Sequence, residues 1–195
     1  MPDLLLASAS PRRKELLEQI GVNYIARSMD IDESVSIGEL PEEYVQRLAF
    51  EKAMAGIKVS NGLPVLAADT SVVVDGKILG KPESQQEAVD MLQRLSGRSH
   101  QVITGVALVG TEGESGANIC TSVSTLVHFL PINKQQIQAY VETLEPMDKA
   151  GAYGIQGKAA VFVEKIEGSY SNVVGLPLEQ IGMMLHRFNI PIWNA

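Results

Sequence analysis

Short apolar runs alternate along this chain with stretches whose apolar residues return every three or four positions. That change of period constrains the fold more than any other feature. Residues 4–7 and 65–68 read as buried strands, and residues 101–109 and 121–129 as longer ones separated by a Gly-rich turn at 110–116. Helical spacing covers residues 11–20, 41–56, 84–95, 133–143 and 178–188. Ser10 stands at the N-cap of the first helix, with Pro11 at its first position and Gly21 after its end. Asp75-Gly76 joins residues 72–74 and 77–79 as a type I′ hairpin, and Glu167-Gly168 suggests a second hairpin between 161–166 and 170–174. Residues 145–157 read as a Gly-rich, charged loop. Hairpins mixed among βα units predict an α/β fold on a mixed sheet, in place of a purely parallel one.

A chain of 195 residues with 45% hydrophobic composition can bury a core without staples, and no linker divides it, so one domain over residues 1–195 is expected. A net charge of −7 disfavours nucleic acid and anionic membranes as partners. Cys120 is the one cysteine, and the three histidines have no zinc spacing. No apolar run approaches a membrane span of about 20 residues, so a cytoplasmic location is expected.

The segment Ser8-Ala9-Ser10-Pro11-Arg12-Arg13 places basic residues at a helix N-terminus, where the dipole favours anions. A bound phosphate resolves that conflict, and so does plain solvation of the arginines. Asp69 follows four apolar residues at a strand end, where a carboxylate is costly unless it is paired, metal-bound or facing a cleft. A turn-forming Asp is the alternative. Lys52 falls on the apolar arc of its helix with Val45, Leu48 and Ala49 and either snorkels or points into a cleft. Gly76-Lys77-Ile78-Leu79-Gly80-Lys81-Pro82 is not a P-loop: one residue is missing between its glycines, and Pro82 replaces the Ser/Thr. Lys81 remains either a phosphate contact or a solvated side chain. Asp30, Asp32 and Glu33 do not form an EF-hand, yet one or two carboxylates with substrate phosphates suffice for magnesium. The glycines of residues 148–157 permit close ligand approach or serve an irregular turn.

Together these segments resemble the Maf family of nucleoside triphosphate pyrophosphatases over nearly the whole chain. The resemblance rests on residues 5–13, Ile31-Asp32-Glu33, Ala49-Phe50-Glu51-Lys52-Ala53, Ala68-Asp69-Thr70, Gly80-Lys81-Pro82, residues 150–157 and Val174-Gly175-Leu176-Pro177. Within the family the chain is similar to the branch acting on dTTP and UTP. The branch acting on methylated guanine nucleotides carries Gln after the Asp, and Ser-Glu-Gly in the later loop. The resemblance implies a Maf/ITPase-like fold: an elongated mixed sheet with helices on both sides, two lobes around a deep cleft, and commonly a homodimer. It implies hydrolysis between the α- and β-phosphates with a divalent cation, Mg or Mn. Asp69 matches the proton acceptor, and Arg12, Thr70 and Gln156 match positions linked to substrate choice. Ser8, Arg13, Glu33, Lys52 and Lys81 match further cleft residues, with Glu33 and Asp69 as the expected metal-holding pair. The rival from another class is a nucleotide-binding regulator of division or septum formation without turnover.

Overall fold

The computed structural model describes residues 1–110 and 118–193, so the expected turn at 110–116 lies almost wholly outside the described residues. Its elements are β1 (Leu4–Leu6), α1 (Pro11–Gln19), β2 (Tyr24–Ala26), α2 (Pro41–Ile57), β3 (Val65–Val74), β4 (Lys77–Leu79), α3 (Gln85–Leu95) and β5 (Ser99–Val109). There follow β6 (Ile119–Phe129), α4 (Lys134–Glu142), β7 (Val163–Glu167), α5 (Tyr170–Val174) and α6 (Leu178–Arg187), with short 3-10 turns between α4 and β7. Among the described residues seven strands form a sheet in the order β2-β1-β3-β5-β6-β7, with β4 paired to β3. β1 is parallel to β2 and β3, whereas β3–β4 and β6–β7 are antiparallel. The expected mixed α/β sheet is present.

The chain forms two compact units, one from Met1–Asp69, Thr104–Val123 and Gly175–Ala195, the other from Thr70–Ile103 and Ser124–Val174. In the first, Leu5, Ala7, Val65 and Ala67 of the sheet pack with Ala49 and Ala53 of α2. Helix α2 approaches very closely there. A Cβ on Gly56 would lie 2.6 Å from Val65 Cγ1, and one on Gly105 would overlap the Val45 carbonyl. In the second, Val72 and Val74 pack with Leu92 and Leu95 of α3, Tyr140 and Val141 of α4, and Phe129 and Phe162. His100 is buried in that core, where its Nε2 lies 2.7 Å from the Tyr153 hydroxyl and its ring meets Phe129 edge-on.

Local signals account for most element ends. Asp75 (φ 52°) and Gly76 (φ 69°) both take the left-handed conformation a type I′ turn needs, and Val74 pairs with Lys77. Ser84 caps α3 by accepting the Glu87 amide at 3.2 Å, and Asn133 and Gln136 form a reciprocal capping box on α4.

Four expectations fail. Residues 170–174 are not a hairpin strand but helix α5, because the Ser169 hydroxyl accepts the Asn172 amide at 3.2 Å and starts a helix. Strand β7 finds its antiparallel partner in β6. Asp69 does not end a strand: the valines after it prolong β3 to ten residues, with Asp69 in its middle. Ser10 gives α1 no side-chain cap; instead, the Ser8 hydroxyl accepts the Ser10 amide at 3.1 Å. The segment at 145–157 is not all loop, since Glu145–Asp148 and Ala150–Ala152 form 3-10 turns.

Candidate active site

The first unit assembles charge around the C-terminal half of α2. Beyond β1 the buried Ser8 uses one hydroxyl twice, accepting the Ser10 amide and the Arg13 Nη1 at 3.3 Å. Arg13 Nε donates to the Gly175 carbonyl at 2.9 Å. The guanidinium is thus oriented from two sides by groups that carry no net charge. Burial pulls Arg13 below the ordinary arginine range, Asp69 opposes this, Arg12 adds to it and Glu33 opposes it. The three charge effects put Arg12, Glu33 and Asp69 within electrostatic reach of Arg13.

Lys52 joins the two carboxylates. Its Nζ contacts Asp69 Oδ1 at 2.7 Å and Glu33 Oε1 at 2.6 Å, with side-chain exposures of 11% for Lys52, 13% for Asp69 and 53% for Glu33. Asp69 continues the alternation of Val65 and Ala67 along β3, the residues that pack against α2, which is why its carboxylate meets a helical lysine. Of the two sequence readings of Lys52, snorkelling is not observed: its ammonium ends between the two carboxylates.

Glu33 belongs to an irregular segment that α2 holds down. Tyr44 donates its hydroxyl to the Glu33 carbonyl at 2.9 Å. Arg47 grips Glu39 with two bonds of 2.6 and 2.9 Å, donates to the Ser34 carbonyl at 2.9 Å and lies 5.6 Å from the Tyr44 ring centre. Glu39 sits well below the usual carboxylate range, at about 2, chiefly because of the Arg47 hydrogen bonds. Burial pushes the Tyr44 hydroxyl up to about 12, and Asp69 and Glu33 add to the shift.

The second unit holds Thr70, Lys81 and Gln156. Thr70 is partly buried and follows the alternation of Val72 and Val74 on β3. Lys81 is exposed beyond Gly80, whose carbonyl accepts the Gly151 amide at 3.0 Å, so its loop is tied to the glycine segment that precedes Gln156. Gly151 (φ 66°) packs on Val72 with no room for a Cβ, which would lie 2.8 Å from it. Gln156 is exposed in a turn where the Gly157 amide reaches the Gly154 carbonyl at 3.0 Å.

A sequence model of the family described as Maf-like protein matches residues 3–188. The chain belongs to the Maf family. Curated Maf relatives extend over the same length. A dTTP/UTP pyrophosphatase of Symbiobacterium thermophilum is 53% identical over 195 residues, covering 100% of this chain and 98% of that protein. Proteins of the same description from Saccharophagus degradans (48% identical, 98% of this chain and 91% of that protein) and Clostridioides difficile (47%, 95% and 95%) agree with it.

In this Maf chain the residues that sequence reasoning missed are the ones that hold others in place. Arg47 and Glu39 stand eight positions apart across a helix start, outside the i,i+4 spacing by which a helix pairs its charges. Tyr44 gave no signal beyond helical position. The Gly175 carbonyl, as a backbone group, carries no residue-type signature at all.

Proposed function

We propose that the chain hydrolyses dTTP and UTP to the nucleoside monophosphate and pyrophosphate, cleaving between the α- and β-phosphates. The observation that carries this reading is the convergence of Asp69 and Glu33 on Lys52, within the influence of Arg13. The descriptions of relatives at about half identity over the full length supply the substrate class.

Arg12 and Arg13 hold phosphate charge from the start of α1, Arg13 already aimed by Ser8 and Gly175. Lys52 fixes Asp69 Oδ1 and so orients the carboxylate that takes the proton of the attacking water. Lys81 adds a phosphate contact, and Thr70 helps to orient the substrate. Two carboxylates converging on a single cationic centre are an oxygen-only donor pair, which fits a magnesium- or manganese-sized cation completed by substrate phosphates. Glu33 and Asp69 would then be the protein's share of its ligands. A divalent cation held there would offset phosphate charge and lower the pKa of a bound water.

Gln156 reads the base. Its amide offers one donor face and one acceptor face, matching O4 and N3–H of uracil or thymine, whereas cytosine presents the reversed pattern. Pyrophosphate release from dTTP, UTP, CTP, ATP and GTP with magnesium or manganese tests the assignment. Release from dTTP and UTP above the others is expected. Binding of dTTP without release would replace hydrolysis with nucleotide sensing.

A further inference from the structure

We propose that Glu145 and Tyr140 are positioning residues that fix the direction of Gln156 and thereby set pyrimidine choice; this rests on the reading of Gln156 as the base-reading side chain. Gln156 is exposed at the middle of residues 154–158, so neighbouring side chains do not enclose it and its backbone must aim it. The far end of that segment binds one carboxylate, and the Tyr140 hydroxyl beside its near end binds the same one. At the far end the Lys158 amide donates to Glu145 Oε1 at 2.9 Å and Oε2 at 3.1 Å. At the near end the Gly154 backbone bears on the Tyr140 hydroxyl, which donates its proton to Glu145 Oε1 at 3.0 Å.

The glycines show how tightly the segment closes. A Cβ on Gly157 would overlap Glu145 Oε1, and one on Gly154 would lie 2.6 Å from Lys149 Cε. Lys149 Nζ in turn donates to the Glu145 carbonyl at 2.7 Å. The base of the clamp is rigid, because Tyr140 is 5% exposed on α4 and packs edge-on against Phe162 at 5.4 Å. Such rigidity has a chemical use. The clamp fixes where the Gln156 side chain leaves the backbone, and with it which edge atoms of a pyrimidine its amide can reach. A site that discriminates between pyrimidine edges needs its reading group held to about 0.5 Å.

The test compares Tyr140→Phe, Glu145→Gln and Gln156→Ala in the full chain. The readouts are kcat/KM for UTP and CTP, the inhibition constant of inorganic pyrophosphate, and the melting temperature. Tyr140→Phe and Glu145→Gln are expected to lower the UTP:CTP preference roughly tenfold, with pyrophosphate inhibition unchanged. Adding either to Gln156→Ala is expected to lower the ratio no further, since residues acting through one group are not additive. Equal losses for both nucleotides together with a lower melting temperature would make the clamp a stability element and overturn the proposal. If Gln156→Ala shifts the ratio and the other two do not, positioning fails while base reading stands. If Gln156→Ala itself leaves the ratio unchanged, base reading falls and the proposal falls with it.

Discussion

At Lys52 a side chain on the apolar arc of α2 ends between two carboxylates, one on β3 and one in the segment before the helix. A helical wheel gave the face and left open whether the ammonium turned in or out, because a wheel says nothing of what β3 presents to it. Asp69→Asn keeps the shape of the side chain and removes its basicity. It is expected to lower kcat by roughly 10²–10⁴-fold while nucleotide binding, read by calorimetry, persists. Near-native turnover would move the proton acceptor elsewhere. His100 makes a separate prediction. Burial, with a smaller effect from His128, pushes it down to about 4, so it is neutral in the folded chain while the unfolded chain binds a proton below about 6.5. The unfolded state therefore holds more protons between these values, and the His100 contribution is intact above pH 6.5 and lost as the pH falls toward 4. The loss is about 3 kcal/mol. Urea unfolding at a series of pH values should show it, and His100→Gln should flatten the curve.

Among the elements, the hairpin at Asp75-Gly76 and the buried strands were legible because each depends on residues next to one another. The three-residue β2 was not: it is too short to show a period and owes its place to pairing with β1. Helix α5 was misread as a strand because Ser169 acts as a cap only once Thr125, whose hydroxyl accepts the Ser169 amide at 3.1 Å, has fixed it. The segment bearing Glu33 makes the same point about function. Its acidic residues were visible, but its attachment to α2 through Arg47 and Tyr44 was not. Arg47→Lys keeps the charge and loses the planar fork. The variant is expected to need roughly tenfold more divalent cation for half-maximal activity, with a manganese titration of the nucleotide-bound protein showing the same shift. An unchanged cation requirement would confine Arg47 to stability.

The two compact units are composed of interleaved segments whose limits at 69/70, 103/104 and 123/124 fall inside β3, β5 and β6. No Pro- or Gly-rich linker marks a limit within a strand, and for this reason the sequence read as undivided. Family membership, by contrast, was readable from the motifs, because residue types at a site are kept in order along the chain. At this scale a ligand that binds only the folded protein must raise its stability. Asp69→Asn with dTTP at a hundred times its dissociation constant should gain about 2.7 kcal/mol. In a chain of 195 residues this is a melting-temperature rise of about 5–10 °C. An equal rise with ATP would remove pyrimidine selectivity from the binding step.

Helix α2, which bears Lys52, Arg47 and Tyr44, touches the strands backbone to side chain at Gly56 and backbone to backbone at Gly105. Neither glycine carries a group that could meet a nucleotide. In a saturation library selected for turnover, both positions should nevertheless be as empty of survivors as Asp69 itself. Even alanine there would lift the helix and carry the ammonium of Lys52 away from its two carboxylates. Tolerance maps of this protein would then outline the seam along which its chemistry is held as well as the chemistry.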